Sequence, residues 1–116
     1  MKIITAMVQP FMLSKVTSAL EEINDFPGMT VTDVRGFGRE KASHATGAPH
    51  RVIEDFVEYV KKERIEIVAN DEMVDQIVKT IVSAAHTGNP GDGKVFFWPV
   101  EQAVRIQTGD LDDAAL

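Results

Sequence analysis

The chain has 116 residues, with 12 Lys and Arg against 18 Asp and Glu and a formal net charge of −6. That length holds one domain, residues 1–116, and excludes two domains with a cleft between them. The acidic balance argues against a nucleic-acid partner, and with no cysteine there is no disulfide framework, thiolate zinc site or Cys nucleophile.

Residues 2–8 are aliphatic and β-branched and end at Gln9-Pro10, which reads as a strand. Leu13, Val16, Ala19, Leu20 and Ile23 then form one apolar helical stripe that Pro27-Gly28 stops. Residues 29–37 carry Thr30, Val31, Thr32 and Val34 and suit a second strand. Residues 38–51 hold no large apolar side chain. A stretch of that kind longer than ~12–15 residues in a compact domain is usually functional or disordered. Val52, Ile53, Phe56, Val57 and Val60 sit at helical spacing, whereas residues 65–69 alternate like a strand, so 52–64 is ambiguous. A second helix starts at Asn70-Asp71, with Val74, Ile77, Val78, Ile81, Val82 and Ala85 as its stripe. Glycines and Pro90 break it, and residues 94–100 read as the last strand.

That order is the βαββαβ arrangement of the ferredoxin-like α+β fold: one antiparallel sheet with two helices on one face. Both faces of the sheet read as apolar. Ile4, Ala6 and Val8 face one way and Ile3 and Met7 the other, and the last strand sets Val95 and Phe97 against Phe96, Trp98 and Val100. Two helices cover only one face, and an exposed apolar face of this size marks an interface, so an oligomer is expected. No apolar run approaches the ~18 residues of a membrane span, and the start is too short for a signal peptide. A cytoplasmic protein without membrane insertion is the expectation.

Among possible chemical motifs, residues 88–95 nearly spell the phosphate loop GxxxxGK[ST]. Val95 replaces the magnesium-holding hydroxyl, and a helix enters where a strand should, which disfavours a P-loop NTPase. A Gly-rich turn followed by Lys94 can still wrap N–H groups and one ammonium around an anion, although on this motif alone a plain helix–strand turn is the preferred reading. Gly36-Phe37-Gly38-Arg39 is a second basic, glycine-rich segment, and Arg105 lies in a short helix or extended tail near the C-terminus. His44, His50 and His86 lack ligand spacing and read as free loop histidines. Asp110, Asp112 and Asp113 read as a solvated tail, and Asp71 and Glu72 as carboxylates at a helix start.

The run Thr87-Gly88-x-x-Gly91-Asp92-Gly93-Lys94-Val95-Phe96 resembles the signature loop of the nitrogen regulatory P-II signal-transduction proteins. Gln9-Pro10-Phe11, the segment from Gly28 to Arg39, Ile65-Glu66-Ile67-Val68 and Arg105-Ile106-Gln107-Thr108-Gly109 match in the same order, so the resemblance covers nearly the whole chain. It implies a homotrimer of ferredoxin-like subunits that binds ATP or ADP in clefts between subunits. Such a protein signals through a long loop, here residues 38–54, to a transporter or metabolic enzyme. By similarity, Gly88, Gly91, Asp92, Gly93 and Lys94 of the phosphate loop (86–94) would hold phosphates, with Thr87 beside the nucleotide. Thr30, Glu66 and Val68 would line the adenine and ribose. Gly36, Phe37, Gly38 and Arg39, with Arg105 and Gln107 of the tail (101–116), would complete the site across the subunit boundary. The resemblance also makes Val57–Ala69 one long strand, against its helical periodicity.

Three departures follow. The modifiable loop tyrosine of the family is absent, since Tyr59 falls in the strand. Glu40 stands where a glutamine helps hold Mg²⁺ and 2-oxoglutarate, while the nearby lysine is kept as Lys62; a weak or absent 2-oxoglutarate response is expected. Gln107 replaces the second arginine of an Arg-x-Arg pair, which favours competition of ADP or AMP with ATP. The leading expectation is therefore a nucleotide-gated signalling module and not an enzyme. The alternatives are a weak nucleotide hydrolase, disfavoured because no general base stands near the glycine loop, and a regulator of metal or other ion transport using His44 and His50.

Overall fold

The computed structural model describes residues 1–38, 51–54 and 57–116. Its elements are strand β1 (Lys2–Val8), helix α1 (Leu13–Glu21), strands β2 (Thr30–Gly36), β3 (Arg51–Glu54) and β4 (Val57–Ala69), helix α2 (Asp71–Ala85) and strand β5 (Gly93–Pro99). This is the expected α+β ferredoxin-like arrangement. The sheet runs β2-β4-β1-β5, every pair antiparallel, and β3 adds to β4 beyond that path.

Periodicity explains which side chains are inside. Ile4, Ala6 and Val8 of β1 are almost fully buried, and Ile65, Ile67 and Ala69 of β4 lie beside them. Onto that face α1 lowers Val16 and Leu20, and α2 lowers Val74, Ile77, Ile81, Ala84 and Ala85. Ile23 joins the same core although α1 has already ended at Glu21, before Pro27-Gly28. Asn70 caps α2 by accepting the Met73 N–H at 3.2 Å, as its side chain suggested. Asp71 at the helix start accepts from the Met1 amine at 2.6 Å and from Lys2 at 3.3 Å, and these donors hold its carboxyl below the usual range.

Two readings change. The helical spacing of 52–60 does not make a helix: Val57–Ala69 is a single 13-residue strand, as the family resemblance required. Arg51–Glu54, counted in the loop, is a strand that pairs with the first four residues of β4, Arg51 opposite Val60 and Glu54 opposite Val57. Short apolar runs carry no decisive period, and a neighbouring strand that offers a hydrogen-bonding edge decides between helix and strand. The stretch around Arg105 is neither helix nor loose tail, and a short 3-10 helix follows at Asp112–Ala115. Val104 bridges Leu111, the Arg105 N–H donates to the Asp110 carbonyl at 2.9 Å, and the Gly109 N–H closes the turn on the Arg105 carbonyl at 2.7 Å. Residues 39–50, which include Arg39, Glu40, His44 and His50, lie outside the described residues.

Among the described residues, the second face of the sheet carries no helix. The register places Thr30, Glu66, Thr5 and Phe96 in one row across four strands, and Val68, Ile3 and Trp98 in the next. Phe96 and Trp98 stack with ring centroids 5.7 Å apart and remain 41% and 42% exposed.

Candidate functional site

The connection from α2 to β5 is built around one carboxylate. Asp92 accepts the Thr87 N–H at 2.7 Å and the Gly88 N–H at 3.0 Å, and the Thr87 hydroxyl donates to its other oxygen. The Asn89 N–H in turn donates to the Thr87 hydroxyl at 3.1 Å. Burial alone would raise the Asp92 carboxyl, but these donors and the nearby His86 together hold it below its ordinary value. Asp92 therefore shapes the loop as an anion. The donors at Thr87 and Gly88 are spent on it, which makes Asp92 a positioning group rather than a phosphate contact through its side chain.

Two lysines flank this turn. Lys62 reaches from β4 and donates to the Gly91 carbonyl. Burial pushes its ammonium down from the usual lysine value, and Asp92 opposes that push. Lys94 is exposed at the start of β5, opposite Met7, on the face that no helix covers. Gly93 between the loop and Lys94 cannot be replaced without movement. Its φ is +104°, and a Cβ there would stand 1.7 Å from the Met7 carbonyl oxygen. The glycine thus lets β5 close onto β1 and fixes where the lysine emerges.

The remaining sequence-derived site residues fall in three places. Thr30 on β2 and Glu66 on β4 are directly opposite each other, and Val68 is two residues further on the same open face. Glu66 pairs with Arg64 at 3.5 Å. Glu66 stands four residues along β4 from Lys62, roughly 13 Å along a strand, so these groups do not converge on one point. Gly36, Phe37 and Gly38 end β2, where Phe37 is 68% exposed and meets Tyr59 of β4 edge-on at 5.9 Å, with the Arg35 guanidinium 6.0 Å from that ring. Arg105 and Gln107 lie on the C-terminal hairpin, where Arg105 donates to the Leu116 carbonyl at 2.8 Å rather than reaching the glycine loop. The chain therefore brings together Thr87, Gly88, Gly91, Asp92, Gly93, Lys94 and Lys62, and leaves the hairpin pair apart.

Sequence reasoning missed two features. His86 is not a free loop histidine: its backbone N–H donates to the Val82 carbonyl as the cap of α2, and its Nδ1 lies 3.7 Å from Asp92. Asp33 and Glu63 are directly opposed across β2 and β4, and burial, then the Asp33 carboxyl, push Glu63 up. Only the strand register brings that pair together, so no spacing in the sequence announced it.

The family model described as nitrogen regulatory protein P-II matches residues 1–110. The chain belongs to the P-II family. It is 46% identical to the nitrogen regulatory protein P-II of Klebsiella oxytoca, 43% to that of Haemophilus influenzae and 46% to nitrogen regulatory protein P-II 1 of Escherichia coli K12, over the full length of both chains in each case. This P-II chain is accordingly a signal-transduction regulator that works through target proteins and not an enzyme. Among its described residues no helix is long and apolar enough to cross a membrane.

Proposed function

We propose that this P-II chain senses adenine nucleotides, ATP or ADP and also AMP, in clefts between the subunits of a homotrimer. Through the 38–54 segment it then regulates a target protein, a transporter or an enzyme of nitrogen and carbon metabolism. The observation that carries the nucleotide reading is the glycine turn: a loop shaped by Asp92, with Lys62 on the Gly91 carbonyl and Lys94 exposed where β5 begins. A bound polyphosphate would meet Lys94 and the backbone of Gly91 to Lys94, with its base towards Thr30, Glu66 and Val68. The separation of Arg105 and Gln107 from this loop within one subunit supports a site completed by a neighbouring copy. So does the uncovered aromatic pair Phe96 and Trp98.

In this reading Mg²⁺ accompanies ATP, and the 2-oxoglutarate response is weak because Glu40 replaces a neutral side chain. Lys62, the other group of that effector region, is engaged by the Gly91 carbonyl. The deciding experiment is calorimetric titration with ATP and ADP. Lys94→Ala should weaken both by about 1.5–3 kcal/mol, the range for a hydrogen bond to a charged group. Unchanged affinity in that variant would remove Lys94 from the phosphate site.

A further inference from the structure

Glu63 is a titratable group of β4 that the glycine loop does not use. It stands directly opposite Asp33 of β2, its side chain shares a hydrogen bond with the Asp33 carboxyl, and its Oε2 is buried without a partner among the described residues. By alternation the same face carries Val31 and Ile65 one step inward, and Arg35 and Lys61 one step outward, each pair again directly opposed. β1 brings Val8 beside Glu63, and Pro10 lines the cavity of about 770 Å³ that also holds the two carboxyls; neither is charged. Three cations belong to the wall of that cavity. The Arg35 guanidinium lies 6.0 Å from the Tyr59 ring, Lys61 is exposed, and Lys62 donates to the Gly91 carbonyl.

Like charges directly across two strands weaken the pairing, and a carboxylate cut off from water adds a desolvation cost. One shared proton relieves both. Burial first, then the hydrogen bond and charge of Asp33, push Glu63 above its usual value. We propose that Asp33 and Glu63 form a proton-dependent clasp between β2 and β4: sharing a proton they hold the two strands together, and both ionised they let the strands loosen. β2 ends at Gly36 and β4 begins at Val57, so the pair grips the strands on either side of the 38–54 segment. The folded protein binds the proton more tightly than the unfolded chain. The hold is therefore complete below the ordinary carboxylate range and is lost as pH rises through the raised value. The clasp needs no bound nucleotide.

Carboxyl carbon-13 titration of Asp33 and Glu63, with amide hydrogen exchange of β2 at pH 5 and pH 8, tests the clasp in the native protein, Glu63→Gln and Asp33→Asn. Both carboxyl resonances of the native protein should follow the same two steps, as coupled groups do. After correction for the intrinsic exchange rate, protection of the protected amides between Thr32 and Gly36 should fall about two- to fivefold from pH 5 to pH 8, the range for a charge pair directly across two strands. Neither variant should show that fall. Independent titration of the two carboxyls in the native protein overturns the clasp, and this readout decides even where a variant folds poorly. Constant protection of β2 in the native protein, or an equal fall in both variants, overturns it as well.

Discussion

The two faces of the sheet are solved in different ways. On the covered face, Ile4, Ala6, Ile65 and Ile67 meet Leu20, Ile77 and Ile81, all at most 1% exposed, so the chain closes that face with its own helices. The open face mixes Ile3, Met7, Val68, Phe96 and Trp98 with Arg64, Glu66 and Lys94. At its centre the Thr5 hydroxyl is buried without a hydrogen-bond partner among the described residues. A buried face of pure hydrocarbon needs only volume and shape. A mixed face with an orphaned hydroxyl and exposed aromatic rings leaves groups without partners among the described residues.

The sharpest test of that contrast is a pair of truncations. Ile77→Ala removes fully buried side chain from the covered face and should cost about 2–5 kcal/mol of stability, seen as a lower denaturation midpoint at fixed protein concentration. Trp98→Ala on the open face should leave the far-ultraviolet circular dichroism of the subunit unchanged and shift light-scattering mass from trimer towards monomer. If Trp98→Ala unfolds the subunit instead, the faces are not separable.

A smaller effect is expected at the loop. Asp92→Ala leaves the Thr87 and Gly88 N–H groups without their acceptor and should destabilise by about 1–3 kcal/mol. The loss of nucleotide binding should exceed that of Lys94→Ala if loop shape matters more than one ammonium. Thr5→Val replaces the orphaned hydroxyl by a methyl of similar size. It should leave subunit stability unchanged or slightly raised, and a clear loss in the assembled state would show that a neighbouring copy satisfies Thr5.

The last test concerns pH. Glu63 is raised in the folded protein by burial first and then by Asp33, so folding favours its protonated form. The stability it contributes is complete below the unfolded carboxylate range and is lost as pH rises through the raised folded value. Glu63→Gln should therefore flatten that fall and leave the variant more stable than the native protein at neutral pH. A denaturation midpoint followed from pH 4 to 7 measures it, and parallel profiles would show that Glu63 does not carry the effect.

Much of this molecule was legible because local signals agreed. The stripe from Val74 to Ala85 with Asn70 before it fixed α2, the β-branched run fixed β1, and the run from Thr87 to Phe96 marked the glycine loop. Residues 52–64 were not legible, because their apolar spacing fits either state, and only pairing with neighbouring strands made 51–54 and 57–64 strands. The same holds for the site. Glycines, Asp92 and Lys94 lie within eight residues of one another and show their chemistry in order along the chain. The contact of Lys62 with Gly91, the opposition of Asp33 and Glu63, and the row of Thr30, Glu66, Thr5 and Phe96 join residues that are distant in sequence. By itself the sequence determined the elements with a strong period and the loop whose groups are neighbours along the chain. Only the tertiary structure decided strand register, and register sets which charges face each other, because a shift of one residue turns every side chain to the opposite face.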